Sequence, residues 1–221
     1  MAYILNLETA TRNCSVSLAN EGKTVALKEY AGEGYAHAEK LHVFIQDVLA
    51  EAGVTYKDLA AVAVSMGPGS YTGLRIGVSA AKGLCYSLNI PMIAVDTLEV
   101  LSCGIAPENG FIIPMIDARR MEAYTAVFTN AHQSLRGTEA EIITDESFAG
   151  YDGPLHLLGD GAAKCKDVLS GERFIYHDVL FPSAKEMSAL SFDKYKKSDT
   201  VDVAYFEPYY LKDFVAGKPA R

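Results

Sequence analysis

Little in this chain offers itself to a metal, a membrane or a disulfide. Four cysteines occur, Cys14, Cys85, Cys103 and Cys165, with no Cys-x-x-Cys pair and no histidine spacing of the zinc type. They are expected to be reduced, buried small hydrophobes. No apolar run approaches the ~18 residues that a membrane span needs. The opening Met1-Ala-Tyr-Ile-Leu-Asn-Leu-Glu lacks the basic start of a signal peptide and meets an acid at Glu8, so a cytoplasmic protein with no membrane contact is expected. Basic charge is scarce as well. Twenty Lys and Arg face 28 Asp and Glu for a net charge of −8, and a cut at residue 110 leaves −4 on either side. With no basic lobe, a stand-alone nucleic-acid binder is disfavoured, while contact with nucleic acid through a partner is not.

What is present is an ordinary folded composition. The 221 residues are 49% hydrophobic and 22% charged, enough for one large domain or two small ones with a sizeable core. Residues 3–7, 14–18 and 25–30 read as three short strands. Over residues 36–52 the period changes: Ala38, Leu41, Ile45, Val48, Leu49 and Ala52 form one apolar stripe on a helix that Gly53 ends. Residues 59–66 read as a buried strand running into Gly67-Pro-Gly-Ser-Tyr-Thr-Gly and a helix over about 74–88, an α/β unit. A strand over 90–95 and a short helix over 97–103 follow. After Pro107, Asn109 and Gly110 the pattern restarts: strands at 111–116 and 123–129, a strand at 155–158, then Gly159-Asp-Gly-Ala and a helix to about Leu169, and a last helix over 183–197. A coarse repeat of two similar lobes around a cleft is expected, split as 1–106 and 107–221.

The glycine loop is the most informative stretch. Its glycines permit close backbone approach, and a helix N-terminus follows where an anion is favoured. It is no Walker loop, since the first lysine after it is Lys82. Nor is it a nucleophile elbow, since Pro68 and Thr72 flank Ser70 where glycines belong. Gly73, Gly77, Ala80 and Ala81 make a small-residue face that admits another backbone, and Arg75, Ser79, Lys82 and Tyr86 line a second face. Glu8-Thr9-Ala10-Thr11 and Asp117-Ala-Arg-Arg occupy matching turns in the two halves, so the candidates for a nucleotide cleft are Glu8, Thr9, Asp117, Gly159 and Gly161. His37 and His42, five residues apart, diverge by about 140° on a helix and cannot share a metal; solvated or capping histidines are expected.

Together, Ile4-Leu-Asn-Leu-Glu-Thr-Ala-Thr, the Gly67 to Gly77 loop, Asp117-Ala-Arg-Arg-Met-Glu-Ala-Tyr, Gly159-Asp-Gly-Ala and Pro208-Tyr-Tyr-Leu-Lys resemble the TsaB (YeaZ) family across nearly the whole chain. The resemblance implies the α/β fold of the actin-like ATPase (ASKHA) superfamily, with two lobes that each carry a mixed five-stranded sheet flanked by helices. It also implies a part in tRNA modification beside TsaD, the glycoprotease-like paralogue that transfers threonylcarbamoyl to the adenosine next to the anticodon. TsaD-like enzymes carry a His-x-x-x-His metal pair where this chain has Thr97 and Leu101, so a non-catalytic scaffold subunit with no metal is implied. The implied partners are a TsaD-like subunit and a TsaE-like ATPase, with tRNA reached only through the complex and a homodimer in isolation. The implied interface comprises the two helices, on which the stripe and small-residue face offer Leu41, Ile45, Val48, Leu49, Gly73, Gly77, Ala80 and Ala81. No cofactor is expected. Ala10 stands where actin-like ATPases place a glycine, although a sensor binding ADP or ATP remains one alternative and a metallopeptidase another.

Overall fold

A computed structural model describes residues 1–32, 36–179 and 181–212; residues 213–221, part of the expected second lobe, lie outside it. Two five-stranded mixed sheets organise the chain. In the first, β1 (Tyr3–Glu8), β2 (Asn13–Asn20) and β3 (Lys23–Ala31) run antiparallel, while β4 (Leu59–Ser65) and β5 (Met92–Val95) continue parallel to β1, in the order β3-β2-β1-β4-β5. The second repeats this with β6 (Phe111–Asp117), β7 (Glu122–Thr129), β8 (Ser134–Ile142), β9 (Leu155–Leu158) and β10 (Phe174–Tyr176), in the order β10-β9-β6-β7-β8. Matched strand by strand, the two orders are the same, a duplicated pair of mixed five-stranded sheets as the resemblance implies.

Helices α1 (His37–Ala52) and α2 (Tyr71–Leu88) cover one face of the first sheet. Gly53 closes α1 in the left-handed region at φ 64°, the conformation a side chain disfavours and glycine accepts. Ser70 caps α2 by accepting from the Gly73 amide at 3.3 Å, and Asp96 caps α3 (Thr97–Ser102) by accepting from the Leu98 and Glu99 amides. Core side chains Leu5, Leu7, Val16, Leu41, Ile45 and Val48 fill the layer between α1, α2 and the sheet.

The boundary near residue 107 separates the sheets and not the helices. Helix α4 (Ala184–Lys196) comes from the second half of the sequence yet packs on the other face of the first sheet, where Ala184 and Met187 join Ile4, Ala61, Ile93 and Val95. Helix α3 belongs to the first half and packs on β6 and β7, with Leu98 and Leu101 among Ile112, Ile116 and Phe128. Helix α4 thus crosses the expected division into 1–106 and 107–221, its apolar face covered by the first sheet.

Three local expectations also differ. Strand β8 was not read from the sequence because its side chains alternate between exposed and half-buried and Gly137 interrupts it; β10 is a three-residue edge strand, too short for a periodic signal. The stretch after Ala162 is not an α-helix. It forms a short 3₁₀ turn, Ala163–Cys165, and further turns held by bonds such as Val168 N–H to the Cys165 carbonyl at 3.1 Å. A few apolar positions, Ala162, Cys165 and Leu169, satisfy the second core without a full helix.

Candidate functional site

The two lobes meet at a cleft of about 570 Å³ between the β1–β2 turn, the glycine loop, the β6–β7 turn and residues 209–212. Its floor is set by close backbone approach. The Ser70 amide donates to the Ala10 carbonyl at 2.6 Å, and a Cβ on Gly69 would collide with that same carbonyl. One turn further, a Cβ on Gly73 would meet the Thr9 carbonyl and one on Gly77 the Thr9 hydroxyl oxygen. Thr9 Oγ1 in turn donates to the Gly73 carbonyl at 2.8 Å. The small-residue face of α2 thus accommodates the chain's own β1–β2 turn, which corrects the expectation that Gly73 and Gly77 receive a partner helix.

Of the five nucleotide-cleft candidates, only Asp117 lines the cleft. Glu8 and Thr9 are fully buried beneath it. Glu8 Oε1 accepts from the Ala10 amide at 2.6 Å, and burial drives its carboxyl up to about 7 against the pull of the Ala10 amide, Ser65 and the Thr9 amide. Gly159 and Gly161 lie against the backbone of β6, where a Cβ would strike Met115 and Ile116. They let the chain turn close to β6 after β9. Asp117 is exposed, is ion-paired with Lys164, and accepts from the Arg119 amide at 2.9 Å. The cleft is otherwise lined by residues the sequence did not single out individually, among them Arg119, Arg120, Asp160, Tyr209 and Tyr210. Their signal was diffuse: one tyrosine pair far along the chain and one arginine pair in a turn.

The amides beside the first turn are engaged within the chain. The Ser70 and Gly73 amides at the start of α2 are already engaged by Ala10 and by the Ser70 side chain, and the glycine loop rests directly on Ala10. An anion there would have to displace bonds the fold uses.

The expected partner-facing stripe turns inward. Leu41, Ile45, Val48 and Leu49 are 0–4% exposed and pack with Ala80 and Ala81 in the first core, so none of these side chains is presented to a partner. Helical period gives the spacing of an apolar face and not what covers it; here the lobe's own sheet does. The outer surface of the helix pair instead carries Ala38, His42, Val43 and Gln46 on α1 and Ser79, Gly83 and Tyr86 on α2. Val43 is 51% and Tyr86 86% exposed.

One histidine expectation changes as well. His37 is neither solvated nor a cap: it is buried, and its Nε2 lies 2.8 Å from the Thr11 carbonyl. His156 and His177 pair across β9 and the end of β10, Nδ1 to Nε2 at 2.9 Å. At the positions where the resemblance places metal-binding histidines, Thr97 Oγ1 accepts from the Gly67 amide at 3.1 Å and Leu101 is buried in the interlobe core. Among the described residues no three His, Cys, Asp or Glu side chains group as a metal site, and no helix is long and apolar enough to cross a membrane.

Comparison with known proteins agrees with this architecture. The family model of TsaD, tRNA N6-adenosine threonylcarbamoyltransferase, matches residues 33–216. The tRNA threonylcarbamoyladenosine biosynthesis protein TsaB of Escherichia coli is 33% identical over 225 residues, covering 97% of this chain and 96% of that protein. TsaB of Bacillus subtilis is 30% identical, covering 95% and 93%. The crystal structure of YeaZ from Pseudomonas aeruginosa superimposes with a TM-score of 0.82 at 26% identity, covering 96% of this chain and all of that one. With that likeness over nearly the full length of sequence and fold, the chain belongs to the TsaB (YeaZ) family of tRNA threonylcarbamoyladenosine biosynthesis proteins.

Proposed function

We propose that this chain is a non-catalytic scaffold subunit of threonylcarbamoyl transfer to tRNA. It binds a TsaD-like catalytic paralogue through the outer face of α1 and α2, and with it a TsaE-like ATPase. The observation that carries the reading is the fate of Thr97 and Leu101. A threonine engaged by the Gly67 amide and a leucine buried in the core leave no pair of imidazoles at the position where the catalytic paralogue holds its metal. The docking face follows from exposure: Val43 and Tyr86 are exposed on helices that contact each other, and Gly83 has open space where a Cβ would stand, so a second helix pair can approach closely at Gly83. In isolation the same face closes on a second copy.

The test is reconstitution with the TsaD-like and TsaE-like subunits, a threonylcarbamoyl-adenylate source and unmodified tRNA, with and without this chain. Product that requires the chain supports the scaffold reading; equal product without it overturns the reading. Val43→Asp and Tyr86→Asp are expected to lose capture of the TsaD-like subunit while melting as the wild type does. Leu41→Asp, by contrast, is expected to unfold the lobe, since it places a charge in the core. Capture unchanged by both surface variants moves the interface elsewhere.

A further inference from the structure

Charge is not spread over this acidic chain as its composition suggests. Three cations, Arg119, Arg120 and Lys212, line the interlobe cleft with the carboxylates Asp117, Glu122 and Asp160, and two more stand behind them, Lys164 on Asp117 and Arg12 near Asp160, in a chain of net charge −8. Lys164 and Lys212 are spent on Asp117 and Glu122. Among the described residues Arg12, Arg119 and Arg120 have no carboxylate within ion-pair distance, and all three are exposed. Arg119 and Arg120 line the cleft from the β6–β7 turn, and Arg12 lies in the β1–β2 turn, whose Ala10 and Thr11 line the cleft from the other lobe. Arg12 is close enough to Asp160 to favour its charged form against burial and the neighbouring Asp117.

The second turn is shaped to hold its arginines out. Arg119 and Arg120 both adopt left-handed backbone, φ 72° and 52°, which successive residues with side chains rarely do. The Asp117 carboxylate, accepting from the Arg119 amide, and Lys164, bound to the Glu122 carbonyl, keep the turn in this form. Strain retained at an exposed arginine pair points to a use for it. Aromatic surfaces lie alongside: Tyr71 packs on Tyr210 in a tilted contact with ring centroids 5.0 Å apart and planes at 38°, Arg75 lies over Tyr71 at 4.2 Å, and Tyr209 is 41% exposed.

We infer that the cleft rim, with Arg12, Arg119 and Arg120 on phosphates and Tyr209 and Tyr210 as stacking surfaces, is a direct contact for a single-stranded stretch of RNA. The inference rests on the proposed function for the relevant RNA, a tRNA brought by the complex, and it replaces the expectation that tRNA is reached only through the partner. Unpaired guanidiniums beside aromatic faces are the chemistry that holds unstacked nucleotides without reading their sequence. A free nucleotide shares that chemistry. The closed phosphate seat at Ala10 and Ser70 and the placement of the arginines along the rim favour a strand that crosses the cleft over a triphosphate that enters it. Three guanidiniums make a weak site, suited to orienting an RNA that the complex already holds.

The experiment uses the full chain and a fluorescein-labelled, unstructured RNA of roughly ten nucleotides, titrated at several salt concentrations, with ATP as competitor. Binding at low salt is expected, and the doubly substituted Arg119→Glu, Arg120→Glu chain is expected to bind roughly tenfold more weakly, each lost guanidinium flattening the dependence of log K on log salt by about 0.7. Arg12→Glu, on the other lobe, is expected to act in the same direction, so a misfolded turn in the first variant would not decide the matter. No binding by the wild type, or binding indifferent to both variants, overturns the inference. ATP that binds and displaces the RNA overturns it in favour of a free-nucleotide site. Capture of the TsaD-like subunit by all these variants is expected to remain intact, so its loss would count against the α1–α2 interface and not against the rim.

Discussion

The first strand of each lobe ends in a carboxylate, Glu8 in β1 and Asp117 in β6, and the two have opposite fates. Glu8 is sealed under the glycine loop, with one oxygen on the Ala10 amide and its proton held up to about pH 7. Asp117 is exposed at the cleft and neutralised by Lys164. The difference follows from what comes after the fourth strand of each repeat. In the first lobe a long helix, α2, seats glycines on the Thr9 turn and shuts it in. In the second the corresponding stretch is a run of turns around Ala163–Cys165 that leaves its hairpin open and supplies a lysine to it. One duplicated topology therefore yields a rigid, helix-covered half and a half whose turn remains available to a ligand.

The sharpest way to break this comparison is to fill the tight contact on each side. Gly73→Ala places a Cβ on the Thr9 carbonyl, and Gly159→Ala places one on the Met115 carbonyl at a φ of +104°. Each is expected to cost about 3 kcal/mol. Because α3 and α4 tie each half of the sequence to the other lobe, chemical denaturation should show one transition for both variants. Two separate transitions would mean that the lobes fold independently.

Next in size is the buried acid. Glu8 keeps its proton in the folded state up to about 7, while the unfolded chain releases it near 4.5. Across that window the folded state binds the extra proton, so raising the pH removes up to about 3 kcal/mol of stability. Glu8→Gln retains an acceptor for the Ala10 amide and is expected to flatten the decline, giving a more stable chain at pH 8. Denaturation midpoints of the two proteins from pH 5 to 8 check this, and parallel curves would show that Glu8 stays ionised.

The second lobe should answer acid with the opposite sign. Burial and the His156 ring hold His177 below its ordinary value, so its contribution is present above 6.5 and is lost as pH falls toward the folded value. His37, also held low by burial, acts the same way inside the first lobe and partly offsets Glu8. Amide exchange should therefore loosen along β9 and β10 on acidification, an effect smaller than that of Glu8 and expected to disappear in His177→Gln. The smallest change belongs to Asp117→Asn, which breaks an exposed pair and should shift stability by less than about 1 kcal/mol. A larger loss would mean that the open turn is as structural as the closed one.

Local chemistry was legible wherever a residue must satisfy its own backbone. Gly53 ending α1, the buried strand β4 and the switch from strand to helical period at α1 were all present in spacing and residue type, while α2 begins at Tyr71, a turn before its expected start near 74. The resemblance carried further, to a duplicated sheet order that no single segment displays. Edge strands β8 and β10 were not legible, since half-exposed side chains leave no alternation to detect.

By itself, the sequence determined which faces are apolar, which turns demand glycine and which family the chain resembles, because these depend on neighbours a few residues away or on motifs read in order. Only the tertiary structure decided where each face points. Leu41, Ile45, Val48 and Leu49 became core because β2 and β3 lie under α1; Gly73 and Gly77 met a turn of their own chain; and α4 crossed to the first sheet. Two turns more than a hundred residues apart, one bearing Arg12 and the other Arg119 and Arg120, came to border one cleft. Burial and the electric field around a site sum over contacts between distant residues, and a linear pattern has no access to that sum until the chain is folded.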